Sequence, residues 1–407
     1  MHSLGLTGGN MSDTSTKYHH LFAAMLLFLI FVSAACGASD TSNTHSSPDS
    51  LDLTRLIPAN FYGGETPQLD MNSAPADWVW NDPHVLKVDS KYIMYASGVY
   101  VNFSHLKWEY PERLFRFVSD DGIHWSRNPE DAVVADAGIS DWDAGGMETP
   151  AVVFFGGKYH LFYTGYKYDP DTAKANNYDI NDNFTQVGHA TSEDGITFVR
   201  DTHPVISPSH AVPTDPDFLA KLWYNDAVGE PGPAVYQGQI YLYFTALGGD
   251  ADLNNSLQVL GLIKSSDGIN WSDPVLVLKP DQTKYPRITG TNGQDGWAGY
   301  STPNAILLDD GIHLFFDAAF SKVTATGTEW TQLRLHHARS SDGESGWIQD
   351  ETSIRSNSDF TWTTREIRSP DAFMDGTILR LYFAGDTLTE NPFNFGIGMM
   401  SCDLSAE

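Results

Sequence analysis

Apolar positions along the chain come in short runs separated by turn residues. No stretch beyond residue 36 sustains them at helical period, so the pattern predicts strands. Five times a proline opens such a run, a short turn follows, and a Tyr- or Phe-rich run answers it. The copies lie at Pro83 (DPHVLKVDSKYIMYAS), Pro150 (TPAVVFFGGKYHLFYTG), Pro233 (GPAVYQGQIYLYFTA), Pro303 (TPNAILLDDGIHLFFDA) and Pro370 (SPDAFMDGTILRLYFAG). Each reads as a hairpin.

A second marker follows the hairpins, a turn closed by an aromatic: SDDGIHW from Ser119, SEDGITF from Ser192, SSDGINW from Ser265 and SSDGESGW from Ser340. In this turn the Asp side chain is suited to bond the following backbone, Gly supplies positive φ, and the aromatic packs between units. The reading is structural. A third strand leads into each turn and a fourth leaves it, giving units of about 70 residues that cannot cover both faces alone. The expected fold is all-β, a five-bladed β-propeller of four-stranded antiparallel blades over residues 51–407. The last copy ends four residues after Asp403 without a fourth strand, so a segment within residues 51–80 is expected to close the ring or cover its edge.

Ahead of this lies Lys17 and an apolar run over residues 21–35, short for a membrane span and suited to the core of a signal peptide. Residues 1–36 read as that leader. Its end, Val32-Ser33-Ala34-Ala35-Cys36, resembles a bacterial lipobox with Ser33 in place of Leu, which marks Cys36 for lipidation; simple cleavage nearby is the other reading. Residues 37–50 are Ser-, Thr- and Asp-rich and predict a flexible tether. The expected location is outside the cytoplasm: a bacterial outer-membrane or cell-surface lipoprotein, or a periplasmic or secreted protein.

Composition narrows the partners. The 407 residues carry 24 Lys and Arg against 52 Asp and Glu, a formal charge of −28. Such a field repels phosphate backbones and anionic membranes, so no nucleic-acid partner is expected, and membrane contact is expected only through an anchor at Cys36. Neutral sugars or cations fit best. With Cys36 and Cys402 as the two cysteines, the fold rests on its core and not on a disulfide framework.

If first strands line the axis, residues next to the five prolines meet at one mouth of the channel. They include Asp82, Glu148, Glu230, Ser301-Thr302, Arg368 and Asp371. Converging carboxylates suit glycoside hydrolysis, in which one activates water or attacks carbon and a second, with raised pKa, protonates the leaving oxygen. Candidate substrate contacts are His84, Trp80, Trp142, Trp297, Asp226, Arg368 and Asp371, the tryptophans as stacking faces for sugar rings and, equally, as rim packing. The polar insertion at residues 168–184 lacks the Gly and Glu of a calcium loop. No cofactor is required, no metal-ligand set is assigned, and a structural calcium ion stays open.

The run Asn81-Asp82-Pro83-His84, with its following strand and Lys91-Tyr92, resembles the first-blade motif of the five-bladed glycosidases of glycoside hydrolase families 43 and 32, and the resemblance extends over residues 75–404. It implies Asp82 as general base or nucleophile. It also implies an acid Glu two residues before a proline and an Asp directly before another. Glu148 and Glu230 compete for the acid, with Glu230 ahead, and the second Asp has no clean owner. The function this implies is hydrolysis of a neutral oligo- or polysaccharide; the alternative is a glycan-binding surface lipoprotein on the same scaffold.

Overall fold

The computed structural model describes residues 51–70, 73, 78–102, 107–135, 138, 141–167, 185–250, 255–280, 288–289, 295–296, 298–324, 327–386 and 395–406. The leader, Cys36, the tether, the insertion at 168–184 and Trp297 fall outside the described residues. Strands dominate the rest, and five antiparallel units follow one another. Unit 1 is Trp78–Val88, Lys91–Asn102, Lys107–Ser119 and Ser126–Arg127. Unit 2 is Gly146–Phe155, Lys158–Tyr166, Gln186–Ser192 and Val199–Arg200. Unit 3 is Ala227–Tyr236, Gln239–Asp250, Asn255–Ser265 and Val275–Leu278. Unit 4 is Ala298–Leu308, Gly311–Thr324, Gly327–Ser340 and Ile348–Gln349.

Unit 5 takes three strands from the end of the chain, Glu366–Asp375, Ile378–Asp386 and Gly396–Asp403. Its outer strand is Tyr62–Gly63, antiparallel to the last strand with Tyr62 opposite Ser401. The early segment and the end of the sequence thus share one sheet, which covers the edge left by the short final copy.

The units close on themselves through side chains that reach from unit 5 back to unit 1. Lys87 Nζ and Tyr92 Oη donate to the two oxygens of Asp375, at 2.5 and 2.6 Å. Arg380 donates to the backbone oxygen of Asp121 at 2.8 Å, and Tyr382 Oη to that of Gly122 at 3.0 Å. The architecture is an all-β propeller. Its apolar core lies between units: one cluster joins Val85 and Phe117 to Val152 and Tyr382, a second joins Phe162 to Leu242, a third Tyr243 to Phe316, and a fourth Phe315 to Phe383. Because each sheet buries both faces against neighbours, its strands read as near-continuous apolar runs.

The Ser-x-Asp-Gly turns perform the structural role expected of them. In unit 1, Asp121 Oδ1 accepts from the amides of Ile123 and His124, both at 2.8 Å, while Ser119 Oγ accepts from Gly122 N at 2.9 Å. The same bonds recur at Asp267 and Asp342. These donors hold all three carboxyls well below the usual range, the backbone bonds from His124, Asn270 and Ser345 contributing most. The closing aromatics lie against the preceding unit: Trp125 on Tyr382, Trp271 on Phe162 and Trp347 on Tyr243.

Units 3 and 4 approach closely at Gly232. A Cβ on Gly232 would sit 1.8 Å from the backbone oxygen of Pro303 in the next unit, a clash that no rotamer relieves. Gly232→Ala is therefore expected to cost about 3 kcal/mol or more, at the upper end for overpacking. Thermal unfolding of the variant checks this; a melting temperature equal to wild type would show that units 3 and 4 are not so tightly apposed.

Candidate active site

Each unit's first strand carries a bulge at the same place, after Asn81, Glu148, Gly229, Ser301 and Arg368. The next residue precedes a proline and has positive φ in all five: Asp82 (45°), Thr149 (42°), Glu230 (52°), Thr302 (46°) and Ser369 (52°). A pre-proline residue ordinarily stays extended, and a non-glycine residue at positive φ costs of order 1–3 kcal/mol. The fold repeats this cost five times, and the five residues and their prolines line one cavity.

This register corrects the third copy of the repeat. Pro231, not Pro233, is the equivalent of Pro83, and Pro233 sits within the strand opposite Leu242. Glu-Pro-Gly-Pro offers two prolines, and only pairing with the second strand decides between them. Glu230 consequently occupies the same backbone position as Asp82. Glu148 lies one residue earlier, level with Asn81 and Arg368, and is absent from the cavity lining.

Asp82 is buried, and its Oδ1 accepts from Ser369 Oγ. Burial pushes its carboxyl well above the usual range, opposed by the guanidinium of Arg368 and the Ser369 bond, and reinforced by Glu230 and Glu112. Glu230 is 2% exposed, with Oε2 accepting from Thr302 N at 3.0 Å. Burial first, and the charge of Asp317 second, raise it to about 8. Arg368 lies over the Phe395 ring, 4.9 Å from its centroid, with Nε 3.6 Å from Glu366 Oε2. Burial alone would lower its pKa, but Glu366, Asp82, Asp317 and Glu230 together raise it.

Among the buried carboxylates that sequence reasoning did not find are Asp317 and Glu112. Asp317, on the second strand of unit 4, accepts from Ser301 Oγ (2.5 Å), Thr302 Oγ1 (2.6 Å) and Ser369 N (3.0 Å). Glu112, on the third strand of unit 1, accepts from Ser97 Oγ at 2.8 Å and interacts with Glu148, and burial raises it to about 7. A signal for Asp317 does exist. It stands opposite Ser301, where the other units place Ser97, Thr164, Thr245 and Ala384, so it is a lone charge at a position otherwise small and uncharged.

The remaining candidates separate by location. His84 and Asp371 line the cavity but bond each other, His84 Nδ1 to Asp371 Oδ1 at 2.9 Å, while His84 Nε2 meets Val152 O at 3.0 Å. Asp371 also accepts from Val85 N (2.7 Å) and Asn304 Nδ2 (2.6 Å). These bonds tie units 1, 2, 4 and 5 together around the axis. Burial raises the Asp371 carboxyl against the opposing effect of His84. Asp226 lies off the cavity lining, half-buried, its carboxyl raised by burial.

Trp80 is a correction. It is fully buried, stacked on Trp78 at 5.6 Å, and a Cβ on Gly98 would lie 2.4 Å from its ring, so no sugar can reach it. Trp142 is half-buried, with its ring stacked on Tyr163 at 6.0 Å and directly over Gly165. Both fill the space a glycine leaves on the second strand, which is rim packing. Among the described residues no group of three or more His, Cys, Asp or Glu side chains has an arrangement that would hold a metal ion.

No protein-family model matches the sequence, and no curated protein matches it. Solved structures resemble it at low identity. The protein BT0996, solved as an RGII complex, is 14% identical, with a TM-score of 0.59 over 84% of this protein and 91% of that one. A family 117 glycoside hydrolase from the marine bacterium Zobellia galactanivorans is 15% identical, with a TM-score of 0.55 over 85% and 91%. The β-1,2-mannobiose phosphorylase from Listeria innocua is 11% identical, with a TM-score of 0.56 over 85% and 97%. At these identities the likeness is one of fold, and the protein carries the β-propeller fold of glycoside hydrolases such as those of families 43 and 117.

Proposed function

We propose that this protein is an exported glycoside hydrolase acting on a neutral oligo- or polysaccharide, with Asp82 as general base or nucleophile and Glu230 as general acid. The observation that carries this reading is that Asp82 and Glu230 hold the same pre-proline position in units 1 and 3 and line one cavity. Burial raises both carboxyls above the usual range. Glu230 is buried beside Asp317, which favours the proton that a leaving oxygen needs. Asp82 is raised as well, because burial outweighs Arg368 and the Ser369 hydroxyl that favour its ionised form, so the two like charges act as a coupled pair that holds one proton between them. Its Oδ2 is a buried acceptor with no hydrogen-bond partner among the described residues, an unsatisfied group at the position the reaction needs.

In the proposed reaction Glu230 gives its proton to the glycosidic oxygen as the bond to the anomeric carbon breaks. Asp82 either removes a proton from the attacking water or attacks that carbon itself and is later released by water. Glu148, which interacts with Glu112 and lies off the cavity lining, is left with a structural role. The fold relatives are named for carbohydrates, including β-1,2-mannobiose, which supports the substrate class. We also propose export through residues 1–36 and anchorage by lipid at Cys36.

The test is release of free sugar from a panel of arabinosides, xylosides, fructosides and galactosides. Against pH, kcat/KM is expected to be bell-shaped. Activity is confined to the range in which the coupled pair Asp82 and Glu230 holds a single proton, and burial displaces both limbs upward. Glycan binding without release at any pH would favour the binding-protein alternative.

A further inference from the structure

Five equivalent pre-proline residues line the cavity, and between them they carry two carboxyls and three hydroxyls: Asp82, Thr149, Glu230, Thr302 and Ser369. Two of the three hydroxyl protons are committed. Ser369 Oγ donates to Asp82 Oδ1, and Thr302 Oγ1 donates to Asp317 Oδ2 at 2.6 Å. Thr149 differs. Its Oγ1 meets one partner among the described residues, the hydroxyl of Thr164 on the second strand of the same unit.

Donor and acceptor balance fixes the direction of that bond. Thr164 is fully buried, and its Oγ1 already accepts from Glu230 N at 2.7 Å. Its own proton has one acceptor among the described residues, Thr149 Oγ1. In the opposite sense Thr164 would accept twice and leave its proton buried and unbonded, the arrangement that folded chains avoid. Thr164 therefore donates, Thr149 accepts, and the Thr149 proton is left over for a molecule that enters the cavity. Backbone shape does not account for a threonine here, because at a φ of 42° a β-branched residue is strained where glycine would not be.

We propose that Thr149 determines specificity by donating its hydroxyl proton to a hydroxyl oxygen of the sugar held between Asp82 and Glu230. The assignment rests on the glycosidase reading of that pair. Thr149 comes from unit 2, between the units that supply Asp82 and Glu230, and holds the same pre-proline position as both. Thr164 ties it to the acid, since one oxygen meets both the Thr149 hydroxyl and the Glu230 amide. A neutral donor fixed by a buried bond orients a sugar without adding charge to the site. A substrate that lacks the matching hydroxyl leaves that donor unpaired and is rejected.

The experiment compares wild type with Thr149→Val and Thr149→Ser on the arabinosides, xylosides, fructosides and galactosides of the panel and on their singly deoxygenated forms. On the parent glycoside that wild type cleaves, Thr149→Val is expected to lower kcat/KM about tenfold. One deoxygenated form should lose about the same factor with wild type, yet be cleaved equally by wild type and Thr149→Val. Thr149→Ser should restore the wild-type preference. A merely structural role would lower the rate on every substrate by one factor and leave the preference intact. If wild type and Thr149→Val discriminate among the deoxygenated forms identically, the proposal is wrong.

If wild type binds these glycosides without cleaving them, the glycosidase reading fails, and calorimetric affinities for the same parent and deoxygenated glycosides take the place of rates. Loss of the preference in Thr149→Val then upholds the contact, and its retention overturns it. A wild type that neither cleaves nor binds any of them overturns both. Should Thr149→Val not fold, Thr149→Gly, which suits the positive φ and also lacks the hydroxyl, decides alone.

Discussion

Asp82→Asn is expected to lower kcat/KM by about 10³-fold or more for every glycoside the protein hydrolyses, whatever its leaving group. Asparagine keeps the shape and can still accept from Ser369 Oγ, but it neither attacks carbon nor removes a proton from water. The same change takes a buried charge away from Glu230 and Glu112, so the melting temperature should hold or rise. Activity and stability then part company, which separates a chemical role from a structural one. Turnover and melting temperature both equal to wild type would remove Asp82 from the mechanism.

Glu230→Gln is expected to make the protein more stable at neutral and alkaline pH while abolishing hydrolysis of unactivated glycosides. Glu230 rises from 4.5 to about 8 on folding. Between those values the folded chain holds a proton that the unfolded chain has lost, so stability falls as pH rises across that window. The loss is on the order of 5 kcal/mol over the full range, shared with the coupled groups around it. Glutamine removes it. The gain in melting temperature should be largest at pH 8 and small near pH 4. Equal curves for variant and wild type at all pH values would mean that Glu230 is not held protonated by the fold. An active site that destabilises its own fold is the expected form of the trade between stability and function.

Much of this was legible from the repeats. Ser-x-Asp-Gly turns and the strand-opening prolines carry their geometry in local chemistry, so the all-β propeller, the converging loops and the prominence of Asp82 follow from the sequence. Glu230 was harder because Glu-Pro-Gly-Pro contains two prolines, and its level depends on pairing across a bulge, a tertiary fact. Asp317 was missed because it sits mid-strand in an apolar run, HLFFDAAF, where only comparison with Ser97, Thr164, Thr245 and Ala384 exposes it. Trp80 and Trp142 misled for the opposite reason: their positions suit a channel rim, but Gly98 and Gly165 on the neighbouring strand draw them into the packing.

The pairing of Asp82 with Glu230 is tested most directly by how rate depends on leaving group in Glu230→Gln and Glu148→Gln. A glycoside whose leaving group departs without a proton should restore most of the turnover lost in Glu230→Gln, while Glu148→Gln shows the leaving-group dependence of wild type. Restoration in Glu148→Gln instead, or in neither variant, would contradict the assignment of the acid and with it the proposed site.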